Sequence, residues 1–439
     1  MFALIARIAA MVLLRSWEFP MVDGRSIAGW ETGEIAANLV AGDGFSLTFR
    51  DLQPTAWLAP AYPFILSLLF RALGVFSDSA LVATILLQAL LSSATVVLTY
   101  WIGERLGGKR IGLMAGIGLA LSPASINVST RIIWGTTLVV MQICLLLYMM
   151  IQRDRPWTWP RVVLVGFLAG LTMLTSPVPL VFFVCLATWT FGRRRSGALR
   201  LTAFLLVALA TLSPWLLRTH DVLGSWVLVK SNFGNELFIG NNQVADGRYR
   251  RSSSIAREVL DVETWRELAV LGEVERSRAF GREARVWIAK NPMEFAALCL
   301  VRARIYWLDP FITEWGLLPF GGDGGLFRSL YRTTQLSLLV LAALGIGRAL
   351  RVRGQWVGLL WYVATVPIPY YLTHANITRY RFLVVPAVFL FAALGLSWLV
   401  TRARQPGSAT TAKGGPASSP KVGVGPGSGL EEPPGPQAG

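Results

Sequence analysis

Residues 81–102 read LVATILLQALLSSATVVLTYWI, an apolar run without a single charged side chain. A helix that crosses a bilayer needs about 20 mostly apolar residues, and this run is long enough. Further apolar runs occur at 2–14, 110–127, 132–151, 162–176, 177–191, 199–217, 328–347, 356–373 and 382–401. The sequence therefore predicts an all-α, polytopic membrane protein with about ten transmembrane helices.

The composition supports a membrane protein. Of the 439 residues, 54% are hydrophobic and only 15% are charged, and the mean hydropathy is +0.52. An average soluble domain is about one quarter charged. A soluble core could not hide this much apolar surface, so the surplus must face lipid. These values exclude a secreted enzyme, a cytosolic enzyme and a free nucleic-acid-binding protein.

The formal net charge of +16 is mostly explained by membrane topology. Cytoplasmic loops of membrane proteins are rich in Lys and Arg. With ten spans and a cytoplasmic N-terminus, the short basic loops all fall on the cytoplasmic side. We predict a bacterial inner-membrane protein with both termini in the cytoplasm and a first helix that acts as an uncleaved signal anchor. The basic loops are 104–110, 153–161, 192–200, 348–353 and the tail from 401.

This topology leaves two large segments on the outer face, a first loop at 20–80 and a second segment at 218–327. We expect a short helix along the membrane surface at 60–76. Residues 293–311 carry Arg302, Arg304 and Asp309, and a charge at bilayer depth costs about 2.5–3.5 kcal/mol, so they predict an interfacial or re-entrant helix. The predicted units are 1–217, 218–327, 328–401 and a disordered cytoplasmic tail at 402–439.

The first outer loop holds several carboxylates beside the bilayer. Glu31 and Glu34 are three residues apart, so on a helix they share a face, and Asp23 precedes them. A carboxylate in a partly dry cleft gains basicity and can remove a proton from an acceptor hydroxyl or amine. The alternative is that these acids only keep the loop soluble.

Five sequence motifs follow one another along the chain. E-x-x-E-I-A-x-N-L-x-x-G-x-G-F begins at Glu31 and P-T-A-W-x-x-P-x-Y-P begins at Pro54. NELFIGNNQVADGRY follows at 235–249, then NPMEFAALCLVRARIYWLDP at 291–310, and finally H-x(4)-R-Y-R from His374, before Pro386. In this order they resemble type C (GT-C) glycosyltransferases that use lipid-linked sugars. The resemblance is to the bacterial branch of glycosyltransferase family 39, related to protein O-mannosyltransferases and the lipid A aminoarabinose transferase, and it covers residues 20–400.

The resemblance implies a polyprenyl-phosphate sugar as donor and an acid of the first loop as general base. Glu31 matches the family's acidic position best, Glu34 is second and Asp23 third. The chain departs from the family in the segment Trp134–Gly135–Thr136, where many relatives have an acidic residue in place of Gly135. The identity of a second catalytic acid therefore stays open.

A lipid-phosphate donor also requires cations at the outer membrane boundary, where arginine binds phosphate oxygens in a bidentate manner. The alternative for these arginines is snorkelling to the interface. His374 and Tyr380 are candidates for orienting the substrate. Asn241 and Asn242 could bind sugar hydroxyls or simply cap their own turn. The candidate phosphate-binding residues are Arg379, Arg381, Arg131, Arg302 and Arg304.

These features favour a membrane glycosyltransferase that works by single displacement. Its acceptor would be a lipid, a glycan or a protein on the outer face, with the bilayer as its environment and no nucleic-acid partner. The two histidines and three scattered cysteines predict neither a metal site nor another cofactor. A flippase or transporter for lipid-linked sugars is the alternative, although such pathways usually carry ionisable residues inside the membrane. A third possibility is an inactive member that serves as an assembly subunit.

Overall fold

The computed structural model describes residues 1–19, 21–22, 25–26, 29–48, 51–152, 156–192, 196–309, 325–352, 354–375 and 378–404. The chain divides into two units, Met1–Trp398 and Leu399–Gly439. Of the second unit, only the end of the last helix and Arg404 are described.

The described residues are almost entirely helical, as the sequence predicts. Four very short strands form two antiparallel hairpins within residues 20–80: β1 (Met21–Val22) with β2 (Arg25–Ser26), and β3 (Ser46–Thr48) with β4 (Leu52–Pro54). A 3-10 turn covers Gly354–Trp356. The helices are α1 (Phe2–Leu13), α2 (Glu31–Ala41), α3 (Ala61–Leu73), α4 (Asp78–Gly107), α5 (Lys109–Leu121), α6 (Pro123–Arg131), α7 (Thr136–Ile151), α8 (Trp159–Thr175), α9 (Leu180–Phe191), α10 (Gly197–Leu223), α11 (Phe233–Gly240), α12 (Ser252–Val259), α13 (Val262–Val270), α14 (Glu273–Lys290), α15 (Pro292–Leu308), α16 (Gly325–Val352), α17 (Val357–Thr365), α18 (Ile368–Leu372), α19 (Thr378–Phe382) and α20 (Val385–Ala403).

Four helical segments of the described chain are long and apolar enough to cross a membrane: α4, α10, Arg332–Val352 within α16, and α20. The helix pair α5–α6 makes a fifth if it is counted as one bent span. Several shorter apolar helices accompany them, among them α1, α7, α8 and α9. The chain is thus a membrane protein with several apolar helices, and the count of ten spans stays a prediction.

The predicted span at 110–127 is divided into two helices. α5 ends at Leu121 and α6 begins at Pro123, with an angle of 51° between them. Proline has no N–H to donate and is favoured at the first position of a helix. The side chain of Ser122 accepts a hydrogen bond from the Ser125 N–H and caps α6. This break turns α6 towards α19, against which it packs.

The two short helices expected beside the membrane are present as helices: α3 lies within 60–76, and α15 covers most of 293–311. α10 continues to Leu223, past the predicted unit boundary at 217. The proposed unit boundaries stay predictions.

The segment 218–309 has a small core of its own, where α11 packs on α14. Phe238 and Phe280 stack with ring centroids 4.6 Å apart. A Cβ atom on Gly234 would lie 1.9 Å from the Ser277 carbonyl oxygen, and one on Gly240 would lie 1.8 Å from that of Thr373. These two glycines let α11 contact α14 at one end and Thr373 at the other.

Candidate functional site

The centre of the site is a hydrogen-bonded pair, Glu236 of α11 and His374, which follows α18. His374 Nε2 lies 2.6 Å from Glu236 Oε2, and the Asn232 side-chain amide donates to Glu236 Oε1 at 3.0 Å. The side chain of His374 is 1% exposed and that of Glu236 is 25% exposed. The close approach of Gly240 to Thr373 brings these two side chains together.

Tyrosine rings enclose the histidine. The His374 ring lies 5.2 Å from the ring of Tyr249 and 5.5 Å from that of Tyr380, measured between centroids. Tyr380 stacks on Tyr370 at 4.2 Å with an interplanar angle of 16°. Two motifs that are far apart in sequence, NELFIGNNQVADGRY and H-x(4)-R-Y-R, therefore meet at one place.

Arg379 lies over two aromatic rings. Its guanidinium carbon is 4.3 Å from the centroid of Trp134 and 5.5 Å from that of Tyr380. A cation is attracted to the face of an aromatic ring without using its N–H donors. Within the described residues Arg379 has no ion pair or hydrogen bond, so its donors stay available for a phosphate.

Lys230 is a second cation of the site, and the residue that follows it is held by two hydrogen bonds. The next residue, Ser231, donates its backbone N–H to Ala56 O at 2.9 Å and its hydroxyl to Glu273. Burial lowers the pKa of Lys230, Arg379 lowers it further, and the nearby charges of Glu236 and Glu31 oppose this shift. The charges of both carboxylates and of Arg379 therefore act on Lys230.

Glu31 begins α2 at a strained turn. Gly29 has φ +73° and Trp30, a residue with a side chain, has φ 45°. Such conformations cost about 1–3 kcal/mol in a residue other than glycine and concentrate at functional sites. The charge of Glu31 acts on both Lys230 and Tyr249. Six residues influence one another's charge and are called the cluster below: Glu31, Lys230, Glu236, Tyr249, His374 and Arg379.

Glu34, the second candidate base, makes a hydrogen bond within the fold. Its Oε1 accepts the backbone N–H of Thr48 at 2.9 Å, which joins α2 to β3. Asp23 lies outside the described residues. Among the described candidates, Glu31 is the one near Lys230.

The other predicted arginines differ from Arg379. The Arg302 guanidinium is fully buried and donates to the carbonyls of Gly240, Tyr371 and Leu372 and to Asn241 Oδ1. That of Arg381 donates to the carbonyls of Tyr306, Trp307 and Asp309, at the end of α15. These donors are used to hold backbone segments together.

Among the described residues, Arg131 and Arg304 donate no side-chain hydrogen bond and lie over no aromatic ring. Arg304 is exposed on α15, and Arg131 is half-buried at the end of α6, the helix that packs against α19. Arg131 thus lies near the element that carries Arg379, whereas Arg304 faces outward.

Asn241 and Asn242 cap their own turn. Asn241 donates to the carbonyls of Leu237 and Leu372, both at 2.8 Å. Asn242 donates to Phe238 O at 2.8 Å and accepts the Val244 N–H at 3.0 Å. Both side-chain amides are therefore buried and occupied by hydrogen bonds within the fold.

Gly135, where relatives of the resembled family carry an acid, is closely packed. A Cβ atom there would lie 3.2 Å from Tyr62 Cβ and 3.4 Å from Thr175 Cγ2. A carboxylate side chain would not fit without displacing these neighbours. The second carboxylate of the cluster is instead Glu236 of α11.

Sequence reasoning missed Glu236 and Lys230 as site residues. Glu236 lies inside the motif 235–249, whose asparagines drew attention because amides suit sugar hydroxyls. His374, the partner of Glu236, is among the residues predicted from the sequence. A search of the same motifs for an acid that could pair with this histidine would point to Glu236. Lys230 lies outside all five motifs.

The arrangement of helices has a counterpart among solved structures. It matches the archaeal oligosaccharyltransferase AglB from Archaeoglobus fulgidus, solved in complex with an inhibitory peptide and a dolichol-phosphate, with a TM-score of 0.51 and 14% identity. The match covers 94% of this chain and 52% of that chain. The chain has a GT-C fold.

The GT-C resemblance is therefore confirmed at the level of the fold. The chain spans about half the length of the archaeal oligosaccharyltransferase. ArnT from Cupriavidus metallidurans bound to undecaprenyl phosphate matches with a TM-score of 0.40 and 14% identity, over 92% of this chain and 78% of that one. No protein-family model and no curated protein sequence matches the chain.

Proposed function

We propose that the protein is a glycosyltransferase that moves a sugar from a polyprenyl phosphate to an acceptor. The observation that carries this proposal is that one carboxylate and two cations, Glu31, Lys230 and Arg379, influence one another's charge, with Arg379 held over the Trp134 ring. The GT-C fold supports it, because the oligosaccharyltransferase that shares this fold was solved with a dolichol-phosphate, itself a polyprenyl-phosphate lipid.

The reaction is a single displacement. The Glu31 carboxylate removes the proton from an acceptor hydroxyl or amine, and the freed electron pair attacks the anomeric carbon. The bond between that carbon and the phosphate oxygen breaks, and its electrons remain on the lipid phosphate. Lys230 and Arg379 stabilise the negative charge that develops there. One displacement inverts the configuration at the anomeric carbon.

The two cations have complementary properties. Arginine offers a planar set of donors that fits two phosphate oxygens, whereas a lysine ammonium acts as a point charge. Arg379 rests on Trp134, which fixes the direction of its donors. Arg302 and Arg381 support this site by donating hydrogen bonds to backbone carbonyls. Arg131, on the helix that packs against α19, is a further candidate for the phosphate.

We place the reaction on the outer face of a bacterial inner membrane, with both termini in the cytoplasm. This rests on the distribution of basic loops, which favours the cytoplasm for 104–110 and 192–200. The acceptor is a lipid, a glycan or a protein on that face.

The test is transfer of sugar from radiolabelled polyprenyl-phosphate hexoses by the purified protein in lipid nanodiscs. We expect Glu31→Gln to lower kcat by about 10²–10⁴, the usual contribution of a general base, with little change in the KM for the donor. Glu34→Gln is the matched control: its amide oxygen can still accept the Thr48 N–H, so it removes only a charge and should retain activity.

Full activity of Glu31→Gln would exclude this residue as the base. Movement of the donor across vesicle membranes by the wild type without cleavage of the sugar–phosphate bond would favour the transporter instead.

A further inference from the structure

Glu236 has unused acceptor capacity on the open side of the cluster. An ionised carboxylate offers about four lone-pair positions. His374 and Asn232 use two of them, one on each oxygen. The side chain is 25% exposed, so the remaining positions are accessible to a ligand.

Glu236 is poorly suited to act as a base. Burial by itself would raise its pKa, but the hydrogen bond from His374 and the charges of His374, Lys230 and Arg379 outweigh burial and hold the pKa below its ordinary value. A carboxylate stabilised in this way takes up a proton weakly. The lowered pKa favours the ionised form, which is a hydrogen-bond acceptor.

The orientation of this carboxylate is fixed from behind. His374 is 1% exposed and cannot itself touch a ligand. Its Nε2 contacts Glu236, and its Nδ1 has no hydrogen-bond partner among the described residues. Asn232 holds the second oxygen, so the carboxylate cannot rotate freely.

Glu236 is linked through His374 to Tyr380, the ring over which Arg379 lies. Lys230 and Arg379, the cations assigned to the phosphate, are both close enough to change its pKa. The phosphate is bonded directly to the sugar, so the first sugar hydroxyls fall within a few ångströms of these cations. Tyr249, whose side chain is 41% exposed, offers an aromatic ring next to His374.

We propose that Glu236 is a specificity-determining residue that accepts a hydrogen bond from a hydroxyl or ammonium group of the transferred sugar. His374 is the positioning residue that orients it. This inference rests on the proposed function. It assigns the sugar contact to Glu236, because the amides of Asn241 and Asn242 are already hydrogen-bonded within the fold.

The experiment compares a polyprenyl-phosphate hexose with its 2-, 3-, 4- and 6-deoxy analogues, for the wild type and for Glu236→Gln. A hydrogen bond to a charged group discriminates by about tenfold to hundredfold. We expect the wild type to lose this much in kcat/KM for one analogue, and Glu236→Gln to lose most of that preference.

Two further variants complete the design. His374→Asn should weaken the preference at the same position and create none at another. A general loss of stability would instead lower transfer from all analogues by the same factor. Glu263→Gln removes one exposed carboxylate from the start of α13 and should keep the wild-type profile.

An unchanged deoxy profile in Glu236→Gln, with transfer intact, would overturn the inference and leave the proposed function standing. A wild type that transfers sugar without preference at any position would also overturn it. If the wild type transfers no hexose, the proposed function fails, and equilibrium binding of the same analogues then decides the inference: loss of a preference in Glu236→Gln supports it, and equal profiles contradict it.

Discussion

At the scale of single residues, two backbone positions and one lysine determine how charge is arranged in the cluster. Gly29 and Trp30 have positive φ angles immediately before Glu31, so the direction of that acid depends on a strained turn. Lys230 shares its surroundings with Glu31, Glu236 and Arg379. Small changes at these positions should affect catalysis more than stability.

The turn before Glu31 gives a prediction with a close control. Gly29→Ala places a Cβ at φ +73°, 3.1 Å from Ile133 Cγ2, whereas Gly44→Ala places one at φ +70° with no atom within 4 Å. Both should cost about 1 kcal/mol of stability, because side chains disfavour this conformation. Only Gly29→Ala should also lower kcat, by at least about tenfold, since it shifts Glu31. Thermal denaturation and sugar transfer measure the two effects, and equal loss of kcat in both variants would contradict the prediction.

Lys230 should make donor binding sensitive to alkaline pH. Burial lowers its pKa below the ordinary 10.5, and a lysine is charged only below its pKa. As pH rises through that lowered value the ammonium is lost, so the KM for the donor should begin to rise at a pH below 10.5. Lys230→Met should have a raised KM that no longer changes there, while Lys290→Met, which alters an exposed lysine of α14, should behave as wild type. The same pH profile in Lys230→Met and wild type would exclude this residue.

At the scale of elements, buried arginines join helix ends that are distant in sequence. Arg302 of α15 binds carbonyl groups at the end of α11 and in α18. Arg381 of α19 binds the last carbonyls of α15. A helix C-terminus carries unpaired carbonyls and a partial negative charge, which a cation satisfies. The site is therefore stable because the arginines hold its supporting elements together.

Arg302→Lys tests this structural role. A lysine keeps the charge but cannot reach Gly240, Tyr371 and Leu372 at once, and each hydrogen bond lost from a charged group costs about 1.5–3 kcal/mol. We expect a clear fall in the thermal midpoint, with the donor KM of the remaining folded protein little changed. Arg304→Lys, on the exposed face of the same helix, should leave both unchanged. A selective rise in donor KM for Arg302→Lys would indicate a phosphate contact instead.

At the scale of the whole molecule, the distribution of charge sets the orientation in the membrane. The basic loop around Lys109 is predicted in the cytoplasm and the segment 218–327 on the outer face. The cluster that includes Lys230, Glu236 and His374 depends on that segment, so its side of the membrane decides which lipid leaflet supplies the donor.

Single cysteines can establish this orientation. In a background with Cys144, Cys185 and Cys299 replaced by alanine, Ser254→Cys on the exposed part of α12 and Lys109→Cys at the start of α5 serve as reporters. A membrane-impermeant maleimide should label Ser254→Cys in intact cells, and Lys109→Cys only after permeabilisation. The reverse pattern would move the site to the cytoplasmic face.

The sequence alone determined that this is a helical membrane protein, because apolar runs and scarce charge leave lipid as the only partner for so much apolar surface. Ordered motifs also identified the GT-C fold and placed Glu31, His374 and Arg379 among the candidates. Tertiary structure decided how these residues are used. Arg302, Arg379 and Arg381 have identical side chains, and only the neighbouring carbonyls or aromatic rings separate a structural arginine from an available one.

Glu236 shows the same limit. Its pairing with His374 joins residues 138 positions apart, and it depends on the close approach of Gly240 to Thr373. Periodicity and local motifs report on neighbours within a few residues of each other, whereas ion pairing depends on distance in space. For that reason the sequence could supply the candidates, and only the packed structure could show which of them form the site.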